Sequence, residues 1–320
     1  MPHMVPTRLP LSPLPASARL TAGLARALVA LCLCLAPVLL PACNGDQASP
    51  PGPAAGTEHG RGAALEGGPD AKERLERTPT DAPALLAVPG RNVHVFVALC
   101  DNVHQGIVPV PASLGDGSDP AGNLYWGAMY GVKSFMRKQP EWALLGSVAK
   151  PSPHVLERLV FRHKASGIHL VADAYRGSAI KQCLQDFLQA LSGGMPLELR
   201  LDGARIEAGS NAGLICYVGH NGLMEFSLPP LPLAPGLQGR GAAIFACQSK
   251  YYFSEHMREA KAEAVILSNG NMAPEAYVLN ALALAWARGE NARDMREAVA
   301  KAYHTYQKCG LNAARRLFAP

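Results

Sequence analysis

Between Val93 and Phe318, short apolar runs alternate with segments of helical spacing, and this alternation most constrains what the chain can fold into. It is the signature of a mostly parallel sheet covered by helices on both faces. The expected strands are 93–99, 168–172, 214–218, 242–245 and 264–267. Two of them end on side chains capable of chemistry. Leu214-Ile215-Cys216-Tyr217-Val218 leads into Gly219-His220-Asn221-Gly222, and Ala242-Ala243-Ile244-Phe245 leads into Ala246-Cys247-Gln248. Open parallel sheets bind ligands outside the carboxyl ends of their strands. His220 and Cys247 are therefore expected to share one crevice mouth.

The segments between the runs read mainly as helices. Asn123 is placed to cap a helix from about Leu124 that carries Tyr125, Met129, Val132 and Phe135 at helical spacing. Residues 152–164 read as a second helix, ended by Gly167. Ile180, Cys183, Leu184, Phe187, Leu188 and Leu191 form one apolar stripe, closed by Gly193-Gly194. Cys183 is accordingly expected as a core thiol. Residues 197–201 suggest a short extra strand, and 274–288 and 292–307 two closing helices. The first of these opens on proline, whose missing N–H has no intrahelical partner there.

The N-terminal part belongs to no core. Arg8, Arg19 and Arg26 precede an apolar stretch, 27–40, that is short for a membrane span and reads as an export signal. Leu40-Pro41-Ala42-Cys43 resembles a bacterial lipobox, which implies processing at Cys43 and a lipid on that residue. The expected organisation is thus a signal peptide over 1–42, a Gly/Pro/Ala-rich tether over 43–90 and an α/β domain over 91–320. The tether holds almost no large apolar residues, so it cannot bury enough surface to fold. The expected location is a membrane-anchored lipoprotein facing the periplasm or cell surface.

Charge excludes one class of partner. The formal +5 falls to +2 once the three leader arginines are set aside, and no basic run or basic-aromatic interleave appears. Nucleic acid is therefore not an expected ligand. Beyond Cys43 there are five cysteines, an odd number, so at least one thiol stays unpaired within the chain.

A thiolate is the reactive form of cysteine, and a neighbouring imidazole can stabilise it or accept its proton. An apolar strand ending in His and Gly, followed by another ending in Ala-Cys, resembles the caspase-like cysteine peptidases, the group of caspases, legumains, gingipains and clostripain. The strand ending at Cys100-Asp101 and the one leading to Asp173-Ala174 resemble the opening β-α-β unit of that fold. The resemblance spans about 93–270 and implies a three-layer α/β domain with a mostly parallel central sheet. It also implies His220 as general base, Cys247 as nucleophile, and the N–H groups of Gly222 and Cys247 as an oxyanion hole. In this chain Asn221 stands between His220 and Gly222. The resemblance further implies Asp101 and Asn102 in the substrate pocket, where an acidic floor would favour Arg or Lys. Asp101 can equally cap a turn. Asp173 and Glu225 are further candidates near strand ends.

Two functions are carried forward: peptide-bond hydrolysis through a thioester acyl-enzyme, and non-catalytic binding of a peptide or protein partner in the same crevice. A thiol-reactive peptide probe discriminates them. No cofactor and no metal is expected. Cys216 and His220 lie four apart along a strand, too far to meet one ion, and no G-x-S-x-G, phosphate-binding loop, H-E-x-x-H or C-x-x-C pattern appears.

Overall fold

The computed structural model describes residues 90–320 apart from 202, 203, 236 and 238. The expected leader, the tether up to residue 89 and Cys43 lie outside the described residues. Strands β1 (Val93–Ala98), β2 (Trp142–Ala149), β3 (Val155–His163), β4 (His169–Tyr175), β7 (Leu214–Val218), β8 (Gly241–Phe245) and β9 (Glu263–Ile266) form one seven-stranded sheet in the order β2-β3-β4-β1-β7-β8-β9. β5 (Pro196–Leu201) and β6 (Ala204–Gly209) form a separate antiparallel pair. β4, β1, β7, β8 and β9 run parallel, and β3 is antiparallel to both β4 and β2.

The central strands read as unbroken apolar runs because both of their faces are covered. On one face Val95, Val97, Cys216, Val218, Ala243 and Phe245 pack under α1 (Val132–Met136), α4 (Ala276–Arg288), α5 (Ala292–Gln307) and α6 (Leu311–Leu317). On the other, Phe96, Ala98, Ile215, Tyr217 and Ile244 pack under α2 (Ile180–Ser192) and α3 (Ser249–Glu259). The β5–β6 pair extends this second layer, with Leu197, Ile206 and Ala208 against Val160 and Val171. The domain is thus three layers with a mostly parallel central sheet. None of its described helices is long and apolar enough to cross a membrane.

Helix α2 carries the expected stripe and ends at Gly193, whose φ of 90° suits a residue without a Cβ. Two expectations are corrected. Residues 152–164 are not helical: β2 and β3 form an antiparallel hairpin there. In β3, Leu159 and Phe161 face the first core layer while Val160 faces the β5–β6 pair. Burial on both sides erased the alternation that marks a strand and left Leu156, Leu159 and Val160 spaced like a helical turn. The helix expected from Leu124 begins only at Val132. Asn123 instead bridges back to β1, accepting from the Cys100 and Tyr125 N–H groups at 3.1 Å each and donating to the Cys100 carbonyl at 2.8 Å.

Candidate active site

β7 and β8 are parallel neighbours in register, with Tyr217 opposite Ile244 and Val218 opposite Phe245. Their next residues therefore leave the sheet side by side at the same end. The Gly219 N–H still donates to the Phe245 carbonyl at 3.2 Å. Gly219 has φ 150°, and a Cβ there would lie 2.9 Å from the Ala98 carbonyl oxygen and 3.2 Å from the Tyr217 hydroxyl. Only glycine fits this bend. The bend delivers His220, whose carbonyl accepts the Tyr217 hydroxyl at 2.6 Å.

Asn221 ties the two strand ends together. It is fully buried; its Nδ2 donates to the Cys247 carbonyl at 2.7 Å and its Oδ1 accepts the Leu223 N–H at 3.2 Å. The residue that separates His220 from Gly222 in sequence is thus the direct bond between the His turn and the Cys turn. On the β8 side Cys247 precedes Gln248, which takes a left-handed conformation (φ 51°, ψ 32°) and caps α3. A non-glycine residue there is uncommon and is held by its surroundings. The Gln248 N–H donates to the Gly270 carbonyl at 2.8 Å, and the Ser249 hydroxyl donates to the Ile244 carbonyl at 3.1 Å.

The Cys247 sulfur sits against the backbone of Met272, 3.4 Å from its N and 3.5 Å from its O. Burial raises the thiol above its ordinary pKa, and the Met272 backbone bond opposes that rise. At rest Cys247 is therefore a protonated thiol that needs a base. The start of α3, two residues on, supplies a positive end that favours the anion once formed. Tyr125 is buried nearby and shares a side-chain hydrogen bond with Cys100. Burial, followed by the charges that Cys100 and Cys247 would carry, holds its hydroxyl well above the usual phenol range. Cys183 and Cys216, fully buried, have thiols raised by desolvation, and Cys100 is pushed up to about 11. None of the five described cysteines is in a disulfide.

His220 has a largely buried side chain, and its Nε2 lies 2.6 Å from Glu225 Oε1. A carboxylate only accepts, so Nε2 carries the hydrogen. That leaves Nδ1 as the basic nitrogen, and no described residue hydrogen-bonds to it. The Gly222 N–H donates to the His220 carbonyl at 3.1 Å. That bond engages, within the turn, the N–H expected to serve in an oxyanion hole. The Cys247 N–H has no acceptor among the described residues and stays available for one.

The expected pocket residues are used locally. Asp101 is buried, accepts the N–H groups of Val103 and His104 at 2.9 and 3.0 Å, and pairs with His104 Nδ1 at 2.9 Å. It caps the turn after β1 instead of opening as an acidic floor. Asn102 closes the same loop, donating to the Val110 carbonyl at 2.8 Å and accepting its N–H at 3.0 Å. Asp173 lies inside β4, opposite Phe96, and is fully buried. Its oxygens take Arg158 Nε and Nη2 at 2.6 and 2.8 Å and His94 Nε2 at 3.2 Å. It forms a buried ion pair within the sheet.

Sequence reasoning missed the Glu225–His220 contact, the Asn221 bridge and the Met272 clamp. A Glu five residues beyond the His was the one legible signal; the clamp uses backbone alone and leaves no mark in sequence. Among the described residues no group of three or more His, Cys, Asp or Glu could hold a metal ion. A cavity of about 460 Å³ lined by Arg293, Asp294, Arg296, Glu297, Arg315 and Phe318 lies on α5 and the C-terminal segment and includes neither His220 nor Cys247. No protein-family model, curated protein or solved structure matches this chain.

Proposed function

We propose that this chain is a caspase-like cysteine peptidase, exported and anchored through a lipid on Cys43, that hydrolyses peptide bonds with Cys247 and His220. One observation carries the reading: the two residues leave adjacent parallel strands at the same end, in register, with Asn221 bonded across to the Cys247 carbonyl. The thiol proton passes to His220 Nδ1 as sulfur attacks the carbonyl carbon. The Cys247 N–H receives the developing oxyanion. His220 then returns the proton to the leaving amine as the C–N bond breaks, giving a thioester. Water, deprotonated by His220, hydrolyses that thioester, and sulfur takes the proton back.

A second reading, binding of a peptide or protein partner without turnover, draws support from the burial-raised Cys247 thiol and the engaged Gly222 N–H. A peptide probe carrying a thiol-reactive group separates the two. The peptidase reading expects modification at Cys247, its loss in Cys247→Ala and His220→Ala, and loss of peptide hydrolysis in both with folding intact. Full hydrolysis by Cys247→Ala would end the reading. For the anchor, a labelled fatty acid should enter the wild type and be absent from Cys43→Ser; equal labelling of both rules it out.

A further inference from the structure

We infer that Glu225 is the positioning residue of this site and that it links the orientation of His220 to the docking of the loop after β1, a step that rests on the peptidase reading. Its Oε1 is shared: it accepts from His220 Nε2 at 2.6 Å and from the Gly106 N–H at 2.7 Å. Gly106 is preset by its neighbour. Gln105 is buried, with Nε2 donating to the Leu99 carbonyl at 2.8 Å and the Gly177 carbonyl at 3.1 Å, and Oε1 accepting the Asp101 N–H at 3.3 Å. The ends of β1 and β4 thereby fix the loop, the loop fixes one bond of the carboxylate, and the carboxylate fixes the imidazole. On the other side, the 3-10 turn Gly222–Met224, capped by Asn221, holds the chain just before Glu225. A methyl group at Gly106 would press on the Glu225 carboxylate and displace it from its present position.

Two consequences follow for the chemistry. The bond selects the Nε2–H tautomer and so keeps Nδ1 as the proton acceptor. The same bond fixes the plane of the ring, so that Nδ1 keeps one direction relative to the backbone of 219–221. A loop lifted from the sheet end would withdraw the Gly106 bond and loosen the carboxylate, which makes the base competent only when the loop is seated.

The test uses the domain with its native cysteines. Nitrogen-15 NMR of the imidazole should show His220 as the Nε2–H tautomer in the wild type and lose that fixed state in Glu225→Gln. Alkylation of Cys247 by iodoacetamide at pH 7, read by peptide mass spectrometry against Cys309, should slow on the order of tenfold in Glu225→Gln and recover in part in Glu225→Asp. Gly106→Ala, which alters neither reacting residue, should slow it in the same direction. An unchanged tautomer together with an unchanged alkylation rate in Glu225→Gln overturns the inference. His220→Ala keeps the two readings apart. If it leaves alkylation unchanged while Glu225→Gln still releases the tautomer, the dyad falls and the positioning contact stands. If it slows alkylation and Glu225→Gln does not, the dyad stands and the role given to Glu225 falls.

Discussion

Asp173 shows how far a residue's type can stand from its use. A carboxylate near the end of a strand reads as a substrate ligand, yet here it is sealed between Arg158 and His94. Burial alone would raise its pKa, but the Arg158 charge and hydrogen bonds, with His94 adding to them, hold the carboxyl well below the usual range. A folded-state value below the unfolded one, about 3.9, stabilises the protein at neutral pH. That contribution is fully present above the unfolded value and disappears as pH falls through the folded one. Asp173→Asn should therefore cost about 3 kcal/mol at pH 7, because it removes the buried carboxylate that both Arg158 and His94 bond. The difference from wild type should shrink in strong acid. Urea melts at pH 7 and in acid check this, and equal stability at pH 7 contradicts it.

At the scale of elements, Phe187 of α2 is the point where helix and site meet. Its ring lies 6.1 Å from Phe96, 5.9 Å from Tyr217 and 6.3 Å from Phe253, and Tyr217 holds the His220 carbonyl. Phe187→Ala should cost about 3–5 kcal/mol. Its cavity borders Tyr217, so it should also weaken Cys247 labelling; a urea titration beside the probe assay reads both effects. The α2 stripe was legible because only one of its faces is apolar. The strands 214–218 and 242–245 were legible because they are too short and too apolar for anything but a central sheet. The β2–β3 hairpin was not, since β3 is covered on both sides. Helix α3 went unread because Ser249, Lys250, Ser254 and Glu255 dilute its apolar face, where Phe253 and Met257 are the large buried side chains. The placement of His220 and Cys247 after neighbouring parallel strands was legible in the sequence, whereas the contacts around them depend on distant chain segments such as Gly106 and Met272.

For the whole molecule, the described domain covers both faces of its sheet with its own helices, and residues 44–80 hold almost no large apolar side chain that could join a core. Deleting residues 44–80 should therefore leave the melting temperature nearly unchanged. Differential scanning calorimetry of the two forms tests it, and a drop of many degrees would mean that this segment packs on the domain.

The register between β7 and β8 has a consequence for how the site is lost. His220 and Cys247 follow neighbouring strands because Val218 sits opposite Phe245, and the bond that joins their turns starts from a fully buried side chain. Neither residue sits on a separate lobe: each follows closely on a central strand of the sheet. In hydrogen-exchange terms, the amides of 215–218 and 242–245 are expected in the slowest class, which opens with the global transition. The pairing of the two strand ends is then expected to be lost in the same cooperative step that unzips the sheet, whatever the loop after β1 does.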